Sequence, residues 1–338
     1  MSSRNPAAVI FGSAGPTLAA AERDFFRDAD PLGFILFQRN CETPAQVRRL
    51  VAELREAVGR ADAPVLVDQE GGRVARLKPP HWPAYPSAAT IAALGGRRAA
   101  EAAWRAARLI ADDLSALGIT VDCLPVLDVP VAGSHNVIGD RAYGSTADIV
   151  SALGRAAAEG LLAGGVLPVM KHMPGHGRAL VDSHHALPRV TAPRAELETT
   201  DFASFRALAH LPWGMTAHVV YEAIDPDRPA TLSPPVISEV IRASIGFDGL
   251  LLTDDLSMQA LGGSFAARAQ AALAAGCDIV LHCNGESGEM TEIAGVVPPL
   301  TAKASERLAR GEAMRGKAQP IERAALEARF HALMGSEA

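Results

Sequence analysis

Cysteine is scarce in this chain of 338 residues: there are four, Cys41, Cys123, Cys277 and Cys283. None forms a C-x-x-C pair with a second such pair, or with histidine at zinc spacing, so neither a disulfide framework nor a zinc finger is indicated. They read as small buried hydrophobes of a reducing compartment. A basic excess is also missing. Lys and Arg number 32 against 38 Asp and Glu, a net charge of −6 with a pI near 5.9. That argues against a general nucleic-acid binder, which needs a basic face. No stretch offers 18 uninterrupted apolar residues, so no membrane span is expected. The opening Met-Ser-Ser-Arg-Asn-Pro has no apolar run after its Arg, so no signal peptide is expected and the reading is a soluble cytoplasmic protein.

What the chain does have is apolar material in short pieces. Hydrophobic residues make up 49% of it, and its 30 glycines and 23 prolines punctuate rather than form tracts. Eight apolar runs recur: 8–11, 33–37, 64–67, 120–124, 166–170, 213–217, 250–253 and 278–281. Runs of this length bounded by turn residues fit strands buried on both faces, as in a parallel sheet. The segments between them read as helices, at 43–58, 99–117, 145–163, 193–208, 234–245 and 265–275. Gly118, Gly165, Gly246 and Gly276 each close a helix just before a strand. Eight strand–helix alternations predict an α/β fold, a (β/α)8 TIM barrel in a single domain over 1–338, with helices after Pro298 packed outside. A doubly wound open sheet is the alternative, because periodicity does not distinguish closed from open.

Polar residues fall where such a barrel keeps its chemistry, at the strand C-termini. Strand three ends in Asp68-Gln69-Glu70-Gly71-Gly72-Arg73, strand five in Lys171-His172, strand six in His218 and strand seven in Asp254-Asp255. These side chains are costly beside an apolar core unless they line a wet mouth. Asp254 and Asp255 suggest one catalytic carboxylate and one that caps the next turn. The stretch 172–185 holds four histidines in fourteen residues, with Pro174, Gly175 and Gly177 marking an irregular loop. In an extended segment, Asp182 and His184 project to one side, so the carboxylate can orient the imidazole for proton transfer. Metal binding by His172, His176, His184 and Asp182 is the competing reading of this loop. The glycines and proline argue against the helical H-x-x-x-H it would need, and no Glu follows His172. Asp68 with Arg73 and Arg76 fits either a grip on sugar hydroxyls or a local salt bridge. Arg141 reaches the mouth or pairs with Asp140.

Five stretches carry a family resemblance: 33–37, 67–77, 136–141, 171–177 with 182–184, and 246–258. The chain resembles the family 3 glycoside hydrolases, and within them the bacterial single-domain β-N-acetylhexosaminidases of peptidoglycan recycling. The loop K-H-x-P-G-H-G…D-S-H is the most specific of the five. Met173 and Thr253 depart from the residues usual in the family at those positions, an aromatic or other apolar residue and a serine. The resemblance implies that Asp254 is the nucleophile, His184 the acid/base and Asp182 its partner. It implies that Asp68, Arg76, Arg141, Lys171 and His172 bind the N-acetylglucosamine unit. Larger members add a second domain that supplies a Glu acid/base; eight βα units leave no length for it here, which suits the histidine variant. The implied reaction is retaining exo-hydrolysis of GlcNAc–1,6-anhydroMurNAc, with or without peptide, through a glycosyl-aspartate. No cofactor and no metal is expected. The expected partner is a small muropeptide-derived carbohydrate, with no nucleic acid and no membrane, and the chain is expected to be a monomer. The rivals are a phosphorylase using the same intermediate, a metal-dependent barrel hydrolase and a non-catalytic sugar-binding protein.

Overall fold

All eight apolar runs form strands in a computed structural model that describes residues 5–183 and 186–335. They are β1 (Ala7–Gly12), β2 (Pro31–Leu36), β3 (Val65–Val67), β4 (Val121–Asp122), β5 (Leu167–Met173), β6 (Trp213–Thr216), β7 (Leu250–Asp255) and β8 (Ile279–His282). Each pairs in parallel with the next. β8 returns to β1 through Val9–Val280 and Ile10–Leu281, so the sheet is a closed barrel and the open sheet is excluded.

Short of their C-terminal ends the strands are mostly apolar, because a barrel buries both of their faces. Ala8, Ile10, Leu66, Val121, Val169, Trp213, Leu250 and Ile279 point inward and fill the barrel. Their neighbours Val9, Phe11, Val65, Val67, Met170, Leu251 and Val280 point outward and pack under the helices. The alternation is the two-residue period of the strand.

Local chemistry sets the helices. The helix Pro44–Ala57 starts where Thr43 accepts from the Gln46 N–H and Pro44 takes the first helical position. It buries Val47, Leu50, Val51 and Leu54, one face at helical spacing. The helices Gly96–Ser115 and Ala147–Ala163 lie so close that a Cβ on Gly160 would come 2.4 Å from the Trp104 carbonyl oxygen. Gly118 and Gly276 end their helices with φ of 80° and 115°.

Two helical expectations change. The 193–208 helix is two, Arg194–Thr199 and Asp201–Ala207. The break is at Thr200, whose hydroxyl is engaged by Arg178, Glu196 and Asp201. The 234–245 helix is π-helical over Val236–Ser244. Val236, Ile237, Val240, Ile241 and Ile245 stay on one buried side, because their four-to-five-residue repeat suits i→i+5 bonding. A helix at Ala20–Ala29, which is strongly polar and shows only Phe26 buried, was not expected. After Pro298 the helices Ala302–Arg315 and Arg323–Met334 cover the barrel exterior. Among the described residues no helix is long and apolar enough to cross a membrane.

Candidate active site

The ends of β3 and β5 bring together charges that lie far apart in sequence. Lys171 is buried, and its ammonium lies 2.7 Å from both Asp68 Oδ1 and Glu70 Oε1. Asp68 Oδ2 accepts from Arg76 at 2.9 Å, and Glu70 accepts a two-pronged grip from Arg141 at 2.8 Å on each oxygen. Burial alone would disfavour every one of these charges. Lys171 and Arg76 outweigh it at Asp68 and hold that carboxyl far below its ordinary value. Arg141 and Lys171 do the same at Glu70, pulling it down to about 2. Burial likewise opposes the charge on Lys171, and Asp68 and Glu70 overcome it and push its pKa up. Lys171 donates to Asp68 Oδ1 and forms an ion pair with Glu70, and it also lines a cavity at the mouth of the barrel. Arg76 also stacks over Phe37, 4.8 Å from the ring centroid, giving this wall an apolar shelf.

Next along β5, His172 Nδ1 is 2.7 Å from Asp128 Oδ2. Asp128 is wholly buried, and burial works against its charge, but His172 outweighs that and holds the carboxyl down. An ionised Asp128 only accepts, so Nδ1 carries the proton. Asp128 Oδ1 also accepts the backbone N–H of His172 at 3.2 Å and of His176 at 2.6 Å, which folds the start of the loop back onto the barrel. Gly177 lets the loop touch the main chain there: a Cβ would sit 2.1 Å from the Val129 carbonyl oxygen. His176 Nε2 lies 3.0 Å from Ser183 Oγ. Burial, helped by the nearby His172, lowers the His176 pKa to about 4. Further along, Arg178 is held by Asp201 at 2.6 Å and Glu196 at 2.7 Å, whereas Leu180 and Val181 are exposed.

The opposite wall carries the acids of β7. Asp255 does the capping work: its carboxylate accepts the Ser257 N–H at 3.0 Å and the Cys283 N–H at 3.1 Å. Asp254 accepts the Asp255 N–H on Oδ1 at 2.8 Å. Beneath them His218, fully buried, sits with Nε2 2.9 Å from the Asp255 carbonyl oxygen and Nδ1 2.7 Å from Thr231 Oγ1.

A cavity of about 270 Å³ opens between these walls at the C-terminal end of the barrel. Asp68, Arg76, Arg141, Lys171 and His172 line one side, and Asp182 and Asp254 also line it. Seven of the eight site residues read from the sequence therefore share one cavity. The eighth, His184, lies outside the described residues. The alternative pairing of Arg141 with Asp140 does not form; Asp140 pairs with Arg73 instead, at 2.8 Å. The salt-bridge reading of Asp68 and the grip reading are both compatible with its position, since Arg76 pairs with it at the cavity wall. A larger depression, of about 690 Å³, lies at the other end of the barrel around Asn5, Asp30, Gly59 and Pro299, and none of the strand-end groups reaches it.

Sequence reading passed over Glu70 and Asp128. Glu70 stood within the quoted strand-end run with no role assigned. Asp128 gave a cleaner signal, one acid inside the apolar run Val126-Leu127-Asp128-Val129. Among the described residues, no three His, Cys, Asp or Glu side chains converge as a metal-ligand set.

A cavity lined by buried charges at the C-terminal mouth of a closed parallel barrel is where enzymes of this fold keep their chemistry, and comparison with known proteins gives the family. The glycosyl hydrolase family 3 N-terminal domain matches residues 17–310. The chain belongs to that family and is a glycoside hydrolase. It is 41% identical over 279 residues to a beta-hexosaminidase of Methylococcus capsulatus, covering 81% of this chain and 82% of the relative. It is 39% identical over 319 residues to a beta-hexosaminidase of Chromobacterium violaceum, covering 92% and 87%. Among solved structures it resembles NagZ from Neisseria gonorrhoeae in complex with N-trifluoroacetyl-D-glucosamine, with a TM-score of 0.87 and 31% identity over 98% of this chain and 99% of that one.

Proposed function

We propose that this glycoside hydrolase is a retaining exo-β-N-acetylglucosaminidase that releases GlcNAc from GlcNAc–1,6-anhydroMurNAc, with or without attached peptide, in the cytoplasm during peptidoglycan recycling. One observation carries the reading: a carboxylate on a rigid strand end, Asp254, shares a cavity of about 270 Å³ with the buried ion cluster of Asp68, Arg76, Arg141 and Lys171. A small cavity lined by fixed donors and acceptors suits a single sugar unit. The beta-hexosaminidase names of the relatives point to the same substrate class.

In this reading the ion cluster holds the hydroxyls of the terminal sugar. Asp254 attacks the anomeric carbon and the C–O bond to the leaving sugar breaks, while His184 gives its proton to the departing oxygen. His184, now neutral, takes a proton from water, whose oxygen attacks the glycosyl-aspartate and restores Asp254. Asp182 steadies the imidazolium. All the bonds made and broken are served by groups of the chain itself.

The test is turnover of an aryl N-acetyl-β-glucosaminide by wild type and Asp254→Ala, with a slow fluorosugar trap to mark the nucleophile. Asp254→Ala is expected to lose roughly 10⁴-fold or more in kcat. The trap is expected on the peptide containing Asp254. Label on another side chain overturns the assignment. A sugar 1-phosphate appearing when phosphate is added replaces hydrolysis by phosphorolysis.

A further inference from the structure

We propose that His218 is a positioning residue for the nucleophile, a neutral imidazole fixed in one tautomer whose Nε2–H pins the residue that aims the Asp254 carboxylate. The inference rests on the reading of Asp254 as nucleophile. The linkage is short. His218 Nε2 meets the Asp255 carbonyl at 2.9 Å, and the N–H of the same Asp255 meets Asp254 Oδ1 at 2.8 Å. The Asp255 side chain is tied to Ser257 and to the Cys283 N–H. Asp255 is thus held at its carbonyl and its carboxylate, and its amide faces the attacking group.

The tautomer follows from the partners. A carbonyl oxygen has no proton, so Nε2 must donate. A neutral ring then presents a lone pair at Nδ1, and the Thr231 hydroxyl donates to it at 2.7 Å. Thr231 in turn accepts from the Thr216 hydroxyl at 2.8 Å. Each hydroxyl uses its single proton once, and Thr216, His218 and Thr231 are all fully buried. A charged ring would need Thr231 to turn its proton to the Ala217 carbonyl, 3.1 Å away. It would also set a cation beside Asp254, where an ion pair would blunt the nucleophile. Burial disfavours that cation and the nearby His172 adds to the effect, while Asp254 and Asp255 pull the other way; the balance lowers the pKa of His218.

The test compares His218→Leu, which removes the donor, with His218→Gln, whose amide can still donate to the Asp255 carbonyl. For the aryl glycoside, His218→Leu is expected to lose roughly 100-fold in kcat, the scale of a misaimed reacting group. GlcNAc affinity is expected to stay within about twofold, because the ion cluster on the far wall is untouched. His218→Gln is expected to recover most of the loss. Nitrogen-15 spectra of the wild type near neutral pH are expected to show a protonated Nε2 and an unprotonated Nδ1 at His218. Wild-type kcat in folded His218→Leu overturns the proposal. So does kcat falling together with GlcNAc affinity, which would mark general support of the pocket, and so does the other tautomer in the spectra. If the Leu variant does not fold, Thr231→Val serves. It takes the donor from Nδ1 and is expected to cost roughly tenfold in kcat with affinity kept; unchanged kcat there overturns the proposal. Turnover surviving in Asp254→Ala would instead remove the nucleophile reading, independently of what His218 does.

Discussion

The wall built from the ends of β3 and β5 holds its charges side chain to side chain, whereas the wall built from β6 and β7 holds its acids through the main chain. On the first, Asp68, Glu70, Lys171, Arg76 and Arg141 pair with one another in a largely buried cluster. On the second, Asp254 and Asp255 are fixed by backbone N–H groups and by His218 on a carbonyl. The difference matches the two tasks. A binding wall must present many polar groups at once, and mutual pairing keeps them charged in a buried place. The proposed nucleophile needs a carboxylate that is aimed, and the Asp255 N–H is a main-chain donor placed to aim Asp254.

The sharpest way to separate the walls is to remove the proton donor alone. His184→Ala is expected to slow hydrolysis of a disaccharide by roughly 10³-fold, since general acid catalysis contributes about 10²–10⁴. Activated aryl glycosides, which need little protonation, are expected to fall far less, and GlcNAc affinity is expected to hold. Steady-state kinetics on the two substrates check it, and equal losses would remove His184 from the acid role.

Breaking the cluster is expected to damage both stability and binding. Lys171→Met leaves Asp68 and Glu70 short of a partner in a buried site, and removing one member of a buried pair costs about 3–5 kcal/mol. Denaturant melts are expected to show that loss along with weakened GlcNAc binding. A melt unchanged from wild type would show that Arg76 and Arg141 alone compensate the two acids.

Within the first wall, the loop after β5 and the ion cluster are also expected to fail in different pH windows. Histidine ordinarily titrates near 6.5, but buried His176, which ties Ser183 to the barrel, does so near about 4. Between these values the unfolded chain binds more protons than the folded one. Stability therefore falls as pH drops from 6.5 towards 4 and this contribution levels off below, up to about 3 kcal/mol in all. Glu70 runs lower: from an ordinary 4.5 it is pulled to about 2, so its contribution is complete above 4.5 and is lost as pH falls to about 2. Urea melts across pH 7 to 3 are expected to show the first slope, and His176→Gln is expected to flatten it while leaving the second. The smallest effect is expected at the rim. Arg73 and Asp140 are both nearly half exposed, and Arg73→Ala is expected to cost under about 1 kcal/mol despite its bonds to the carbonyls of residues 136–138. A larger loss in the same melts would make that strap part of the binding wall.

How much of this was legible before the fold was known depends on range. The strands were readable because a barrel strand is buried on both faces, so each appears as an apolar run whatever it pairs with. Asp254, Lys171 and His172 were readable because a charge at a strand end interrupts such a run. The partners were not. Lys171 and Asp68 are 103 residues apart, and Arg141 and Glu70 are 71 apart. Glu70 looked like one more polar residue in a turn, and Asp128 fell after a strand only two residues long. The π-helical turn over Val236–Ser244 was invisible for another reason: a 3.6-residue pattern also fits its apolar positions.

By itself the sequence determined the order of strands and helices, the strand ends that carry charge, and the family. Local patterning is enough for that, since burial writes hydrophobic runs into the chain and chemistry interrupts them. The tertiary structure alone decided that the sheet closes and that Asp128 holds His172 Nδ1. It alone also decided that Lys171 bridges two acids and that Asp255 rather than Asp254 caps the turn. Each of these turns on the distance between residues remote in sequence, and electrostatics and hydrogen bonding are set by distance in space.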